Sequence, residues 1–263
     1  MIEVPDDTLR ITDVKARFLR ISQILSTIDS VRCADRKDGM SMNKKKHLWI
    51  GIWFLLVFLL WTALIRSVDV QAAGPNGTKV GFAAINLWFH KLTGVHMTLY
   101  TITDWLGLVP IAVCLGFGVV GVFQLIRRRS LLRVDPDIIL LGLYYILVVL
   151  GYLVFEMIPI NYRPILIGGA LEASYPSSTT LLVLSVMPTL VFQVGRRCER
   201  KTVTRAVSII VVLFSAFMVI GRSVSGVHWV TDIIGSVLLS FGLFKLYQSG
   251  VTAIDLRNKN GVQ

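Results

Sequence analysis

The chain has 263 residues, of which 54% are hydrophobic and only 16% are charged. Its mean hydropathy is +0.67. A soluble domain cannot bury that much apolar surface, so the composition excludes an ordinary soluble protein and indicates an integral membrane protein. The formal net charge of +11 would suggest nucleic-acid binding in a soluble protein. Here the basic residues cluster between apolar segments, so the charge indicates membrane topology and no nucleic-acid partner.

The N-terminal segment, residues 1–42, is polar and mixed in charge. Three consecutive lysines, Lys44 to Lys46, then precede an apolar run. A basic stretch before an apolar run is the usual start of a first membrane span. We therefore expect residues 1–42 to be a cytoplasmic tail or a mis-annotated start, residues 43–250 a transmembrane domain, and residues 251–263 a cytoplasmic C-terminal tail.

Six apolar runs follow, each of about twenty residues, which is long enough to cross a bilayer as a helix. They cover residues 47–65, 105–126, 138–158, 177–194, 203–220 and 229–247. The sequence therefore predicts an all-α fold, a six-span transmembrane helical bundle. Between the first two runs, apolar residues spaced from Phe82 to Leu99 predict one amphipathic helix that lies in the membrane interface.

The segments that join these runs alternate in charge. Basic clusters precede the first run and follow the second and the fourth: Lys44, Lys45 and Lys46; Arg127, Arg128, Arg129 and Arg133; Arg196, Arg197, Arg200, Lys201 and Arg205. Since positive loops stay in the cytoplasm, both termini are expected there. Arg163, Arg222 and the segment that leads to His228 then face the outside, and the cell membrane is the expected location.

His228 and Asp232 stand at the start of the sixth run. They are one helical turn apart, so the imidazole and the carboxylate share a face. A carboxylate beside one ring nitrogen fixes the tautomer and leaves the other nitrogen free to attack. Arg222, just upstream, can hold an anion. The pattern is typical of a histidine that attacks phosphate, although a local side-chain pair has the same spacing. A metal site lacks a clear third ligand, so we expect no metal and no cofactor.

Two more polar blocks are predicted on the same face as His228. Tyr162-Arg163-Pro164 follows the third run, and Tyr175-Pro176-Ser177-Ser178-Thr179 opens the fourth. With the segment from Arg222 to Asp232, they resemble the type 2 phosphatidic acid phosphatase family, membrane lipid phosphatases related to vanadium haloperoxidases. The pattern of that family is Lys-x6-Arg-Pro, then Pro-Ser-Gly-His, then Ser-Arg-x5-His-x3-Asp.

This resemblance implies a role for each matching residue. His228 would be the nucleophile that forms a phosphohistidine, and Asp232 would orient it. Arg163 and Arg222 would hold phosphate oxygens and stabilise the charge on the transferring group. Ser177 could offer its hydroxyl and its backbone N–H at the start of a helix, where anions often bind.

The chain departs from the family pattern at two functional positions. The lysine position is Glu156, and the histidine position is Thr179. In the family that histidine protonates the leaving oxygen, whereas a threonine hydroxyl donates a hydrogen bond but is no effective acid. Four other residues remain candidates for the acid: His90, His96, Glu156 and Glu172. The two glutamates are candidates because partial burial can raise the pKa of a carboxyl group. Glu156 could instead pair with Arg163.

Two hypotheses follow. The first is an enzyme, a lipid phosphatase or phosphotransferase that acts on the outer leaflet. Because a lipid alkoxide needs a proton to leave and a phosphate does not, an isoprenyl diphosphate or a similar lipid phosphate is the best-suited substrate. The second is a non-catalytic member of the same family that binds a lipid phosphate or scaffolds other membrane proteins. A transporter is disfavoured, because the sequence has neither repeated halves nor charged residues in mid-span.

Overall fold

The computed structural model of the protein describes residues 41–260, so most of the predicted N-terminal tail and the last three residues lie outside it. Six of its helices are long and apolar enough to cross a membrane. No strand occurs within the described range, which contains only isolated β-bridges. The predicted fold class is therefore confirmed: the protein is an all-α, six-span transmembrane bundle.

Eight α-helices follow one another along the described residues. They are α1 Ser41–Ser67, α2 Ala83–Thr93, α3 Met97–Leu106, α4 Leu108–Arg128, α5 Pro136–Met157, α6 Ser178–Arg197, α7 Lys201–Val224 and α8 Val230–Asn260. The sixth span is much longer than the predicted run of 229–247. Its last turns are polar, and they remain helical where Val251 is buried and Asp255 pairs with Arg196.

The single interfacial helix predicted between Phe82 and Leu99 is wrong. The chain forms two helices there, because Gly94 adopts a φ of 72° and ends α2. The side chains of Trp88 and Leu92 in α2 are exposed. α3 instead packs against α7 and continues directly into α4.

The centre of the bundle is formed by α6 and α8, which pack against each other and are the most buried of the six spans. One apolar cluster joins them to α1 and α5: Phe58, Ile65, Leu141, Tyr144, Val148, Tyr175, Leu181, Leu239, Leu243, Tyr247 and Val251. α1 approaches α8 closely at two glycines. A Cβ on Gly51 would lie 3.1 Å from the carbonyl oxygen of Gly242, so small residues set this crossing.

Ion pairs join three helices at the end of the bundle opposite His228. Arg197 Nη2 lies 2.8 Å from Asp137 Oδ2 of α5, and Arg196 Nη1 lies 2.7 Å from Asp255 Oδ2 of α8. All the basic clusters of the sequence within the described range lie at this end, which we call the basic end. The polar residues of the three predicted blocks lie at the other, which we call the His228 end.

Candidate active site

The residue His228 lies in the short turn between α7 and α8. Gly226 has a φ of +73°, and a Cβ there would lie 2.1 Å from the carbonyl oxygen of Gly94. Only glycine fits this turn, both for its backbone angle and for the close approach. The backbone N–H of His96 also donates to the carbonyl of Ser225 at 3.0 Å. The α2–α3 connection therefore fixes the turn that presents His228.

The imidazole of His228 is nearly fully buried, with a side-chain exposure of 1%. Its Nδ1 lies 3.1 Å from the carbonyl oxygen of Ser174. Since a carbonyl only accepts, Nδ1 must carry the hydrogen and Nε2 must carry the lone pair. Nε2 is buried and has no hydrogen-bond partner within residues 41–260. This tautomer is the one that a nucleophilic Nε2 requires.

Burial lowers the pKa of His228 from 6.5 to about 4. The positive charges of Arg222 and Arg163 act in the same direction, and Asp232 opposes them. The ring is therefore neutral, and its lone pair available, at ordinary pH.

The lowered pKa has a measurable consequence for stability. Between pH 6.5 and about pH 4 the unfolded chain binds a proton at residue 228 and the folded chain does not, so stability falls as the pH falls. Between pH 7 and pH 5 the melting temperature of the wild type should fall by roughly 4 °C more than that of His228→Gln. Equal falls in the two proteins would show that His228 titrates normally.

The carboxylate of Asp232 is fully buried but does not form the predicted hydrogen bond with His228. Its Oδ2 lies 3.9 Å from His228 Nδ1, which is too long. Instead Oδ2 accepts the backbone N–H of Trp229 at 3.0 Å, and Oδ1 accepts Asn161 Nδ2 at 3.2 Å. Asp232 thus caps the start of α8, and the Ser174 carbonyl orients the ring.

A hairpin-like loop between α5 and α6 supplies the other wall of the site. Tyr162 and Ala173 form an isolated antiparallel bridge. The backbone N–H of Arg163 donates to the Glu172 carbonyl at 3.0 Å, and Trp229 Nε1 donates to the Tyr162 carbonyl at 2.7 Å. These bonds attach the loop to the start of α8, so Arg163 comes next to His228 although 65 positions separate them in the sequence.

The two predicted phosphate-binding arginines converge on the ring of Tyr100 in α3. The guanidinium carbon lies 5.8 Å from the ring centroid for Arg163 and 4.9 Å for Arg222. Both side chains are buried, and Arg163 Nη1 and Arg222 Nε have no hydrogen-bond partner within the described chain. Buried unpaired donors are costly, and the oxygens of an anion would satisfy them.

Each of these arginines has a carboxylate beside it. Arg163 Nε lies 3.0 Å from Glu172 Oε2, and Arg222 Nη1 lies 3.6 Å from Asp104 Oδ1. Arg163 therefore pairs with Glu172 and not with Glu156, the partner considered from the sequence. Glu172 and Asp104 are 39% and 57% exposed, so both carboxylates can move away from the arginines at little cost.

The residue Ser177 does not present its polar groups to this site. It is fully buried, its Oγ donates to Thr180 Oγ1 at 3.1 Å, and its carbonyl accepts Ser236 Oγ at 3.0 Å. The first bond lies within the start of α6, and the second fastens α6 to α8. The neighbouring Ser178 lines the cavity beside His228 instead.

A polar cavity of about 80 Å³ opens beside His228, which leaves room for several waters or a phosphate group. Its polar or ionisable side chains are Tyr152, Glu156, Arg163, Glu172, Ser174, Tyr175, Ser178 and His228. The other two candidates for the missing acid lie elsewhere. His90 packs near the ring of Trp229, and His96 Nε2 lies 2.8 Å from the Thr93 carbonyl oxygen.

An apolar groove of about 470 Å³ adjoins this cavity between α4, α5 and α6. Tyr152 and Ser178 line both spaces. Thr179, at the histidine position of the family pattern, faces this groove beside Gly107. A polar cavity that continues into an apolar groove suits a molecule with a charged head and a hydrocarbon tail.

The fold is similar to a solved structure described as the first transmembrane PAP2 type phosphatidylglycerolphosphate phosphatase from Bacillus subtilis. The two chains share a fold. The TM-score is 0.52, the match covers 78% of this chain and 98% of that one, and 20% of the residues are identical. No family model matches the sequence, and no curated protein matches it. The likeness at this identity concerns the fold, so the roles of the site residues depend on the geometry above.

Sequence reasoning missed four residues of the site. Ser174 contacts His228 through its backbone carbonyl, and Asn161, two positions before Arg163, contacts Asp232 through its side chain. Neither residue belongs to a motif. Tyr100 and Asp104 lie just before the second apolar run, where we expected an interfacial helix and a span boundary. Their spacing of four residues was the available signal, because it places both on one face of a helix.

Proposed function

We propose that this integral membrane protein is a lipid phosphatase or phosphotransferase that acts through a phosphohistidine at His228 on the external face of the cell membrane. The observation that carries the proposal is the state of Nε2. It is buried, unprotonated and unpaired, and His228 lines a polar cavity shared with Arg163. Arg163 and Arg222 have unpaired donors that can bind phosphate oxygens, and the adjoining apolar groove can hold the lipid chain.

The chemistry proceeds in two displacements. The lone pair of Nε2 attacks phosphorus, a P–N bond forms, and the P–O bond to the leaving group breaks. Arg163 and Arg222 stabilise the charge on the phosphoryl oxygens as it passes between the two atoms. Water then attacks phosphorus, the P–N bond breaks, and inorganic phosphate is released. An alcohol in place of water would give a phosphate ester and make the protein a transferase.

The residues around the leaving group favour a diphosphate substrate. Thr179 cannot supply a proton to a departing alkoxide. Attack on the terminal phosphorus of a lipid diphosphate expels a lipid monophosphate, which leaves without one. An isoprenyl diphosphate fits these requirements, since it combines a good leaving group with an apolar chain for the groove between α4, α5 and α6.

A non-catalytic lipid-phosphate-binding protein is the second candidate. The observation that favours it is the charge balance of the site, where Glu172 and Asp104 already neutralise the two arginines. The unpaired Nε2 of His228 argues against it, because a binding site gains nothing from a buried ring nitrogen without a partner.

The test is phosphate release by the purified full chain in detergent from a panel of lipid monophosphates and diphosphates, with and without chelator. We expect release from at least one lipid diphosphate and no loss with chelator. No release from any lipid by a folded protein, combined with measurable binding of those lipids, would favour the non-catalytic candidate.

The ion pair of Glu172 with Arg163 gives a separate prediction. If Glu172 only competes with substrate for Arg163, Glu172→Gln should lower the KM by about two- to fivefold and leave kcat unchanged, because an ion pair with an exposed carboxylate is worth up to about 1 kcal/mol. If Glu172 supplied the missing proton, kcat on a lipid monoester would fall by about a hundredfold or more, because that leaving group needs a proton. Steady-state kinetics on a lipid diphosphate and on a lipid monoester separates the two roles, and Glu199→Gln at the basic end is the control.

A further inference from the structure

A second apolar groove lies between α4 and α5 at the basic end, with a volume of about 390 Å³. Gly118, Gly121 and Leu125 of α4 and Gly142 of α5 line it. Since each helical residue advances about 1.5 Å, Leu125 lies roughly 27 Å along α4 from Gly107 in the groove beside the His228 cavity. The Leu125 end of the second groove therefore lies at the basic end, although its other end shares Cys114 with the apolar groove beside the His228 cavity.

Glycines keep this groove open. A Cβ on Gly118 or on Gly142 would meet no atom within 4 Å, so no close helix contact requires glycine at either position. Glycine weakens a helix relative to other residues. What the two glycines provide is space along the α4–α5 surface, wide enough for a hydrocarbon chain.

Exposed arginines lie in the chain beside the residues that line the groove at the basic end: Arg127 and Arg129 follow Leu125, and Arg133 stands between Leu131 and Val134. Arg127, Arg129 and Arg133 have no ion-pair partner within residues 41–260, whereas neighbouring Arg128 is paired with Asp135. Between Arg129 and Arg133 the chain forms a short 3-10 turn, Leu131–Arg133, in which Leu132 is 93% exposed. Apolar side chains flanked by free arginines are typical of a segment that inserts at the boundary between lipid headgroups and acyl chains.

We propose that this groove binds an anionic phospholipid of the leaflet at the basic end, with one acyl chain between α4 and α5 and its phosphate on Arg127, Arg129 and Arg133. The observations that carry it are the charge complementarity between three unpaired arginines and a lipid phosphate and the apolar groove that continues from them. The arginines and the two glycines of this site line neither the His228 cavity nor the apolar groove beside it, so their test does not depend on the proposed activity.

Native mass spectrometry of the full chain in detergent tests this, with phosphatidylglycerol and phosphatidylcholine of identical acyl chains as probes. The combined variant Arg127→Gln, Arg129→Gln, Arg133→Gln should bind phosphatidylglycerol at least about tenfold more weakly than the wild type, because each basic residue near the membrane surface contributes. The matched control is Arg200→Gln, Lys201→Gln, Arg205→Gln, which removes the same charge from the same end but from the start of α7, which does not line the groove. We expect the control to bind phosphatidylglycerol nearly as well as the wild type.

The variant Gly118→Leu, Gly142→Leu tests the groove separately from the charge. Leucine is a good helix former, so the variant should fold and should lose bound phosphatidylglycerol by filling the space. Three results would overturn the proposal: equal binding of the two lipids by the wild type, equal losses in the two charge variants, or unchanged binding in the leucine variant. A second copy of the chain in place of lipid, with the dimer lost in the leucine variant, would also overturn it.

Discussion

His228→Gln should lower phosphate release by about 10⁴-fold or more, the scale of loss seen when an enzyme loses its nucleophile. No other side chain in the cavity combines an unprotonated nitrogen with burial and two nearby arginines. Glutamine can still donate to the carbonyl of Ser174, so the turn between α7 and α8 should keep its shape. Release from a lipid diphosphate, measured beside the melting temperature of each protein, separates lost chemistry from lost folding.

The matched control for this change is His90→Gln. His90 is a half-buried histidine of α2 whose ring centroid lies 5.6 Å from that of Trp229, outside the cavity. Its substitution should leave turnover within a few-fold of the wild type. Substantial release by a folded His228→Gln protein would mean that another group forms the intermediate or that water attacks directly.

Lipid diphosphates should be hydrolysed about 10²- to 10⁴-fold faster than phosphatidic acid, the usual contribution of a general acid. The physical reason is the residue at position 179, where threonine cannot protonate a departing alkoxide. The variant Thr179→His should raise the rate of monoester hydrolysis more than the rate of diphosphate hydrolysis. Because Thr179 faces the apolar groove next to Ser178, the new ring would stand where the groove meets the cavity.

Equal rates on the two substrates by the wild type would contradict this prediction and reveal another acid. The cavity holds three candidates, Tyr152, Glu156 and Glu172. The variants Tyr152→Phe, Glu156→Gln and Glu172→Gln would show which residue supplies the proton. The acid should be the residue whose replacement slows monoester hydrolysis alone.

The six spans could be predicted from the sequence because each one needs a long apolar run, and hydropathy reports that directly. The end of α2 at Gly94 could not be predicted, since apolar residues continue on both sides of it and only the φ of 72° shows that the helix ends. The length of α8 was also underestimated. Its last turns depend on the ion pair of Asp255 with Arg196, which joins residues 59 positions apart.

The candidate site was predictable where a side chain belongs to a recognisable block. His228, Arg163 and Arg222 meet at one end of the bundle, as their predicted topology requires. The partners of His228 were not predictable in the same way. Ser174 contributes a backbone carbonyl, which every residue type has, and Asp232 lies one turn from the ring but directs its oxygens to Trp229 and Asn161.

A phosphohistidine at residue 228 can be tested by trapping it. The full chain would be mixed with a lipid diphosphate labelled at its terminal phosphate, quenched in alkali within the first turnover, and digested for mapping by mass spectrometry. Label is expected on the peptide that contains His228, stable to alkali, lost in acid and absent from His228→Gln. Label on Ser177, Ser178 or Thr179, or turnover without any labelled protein, would contradict it.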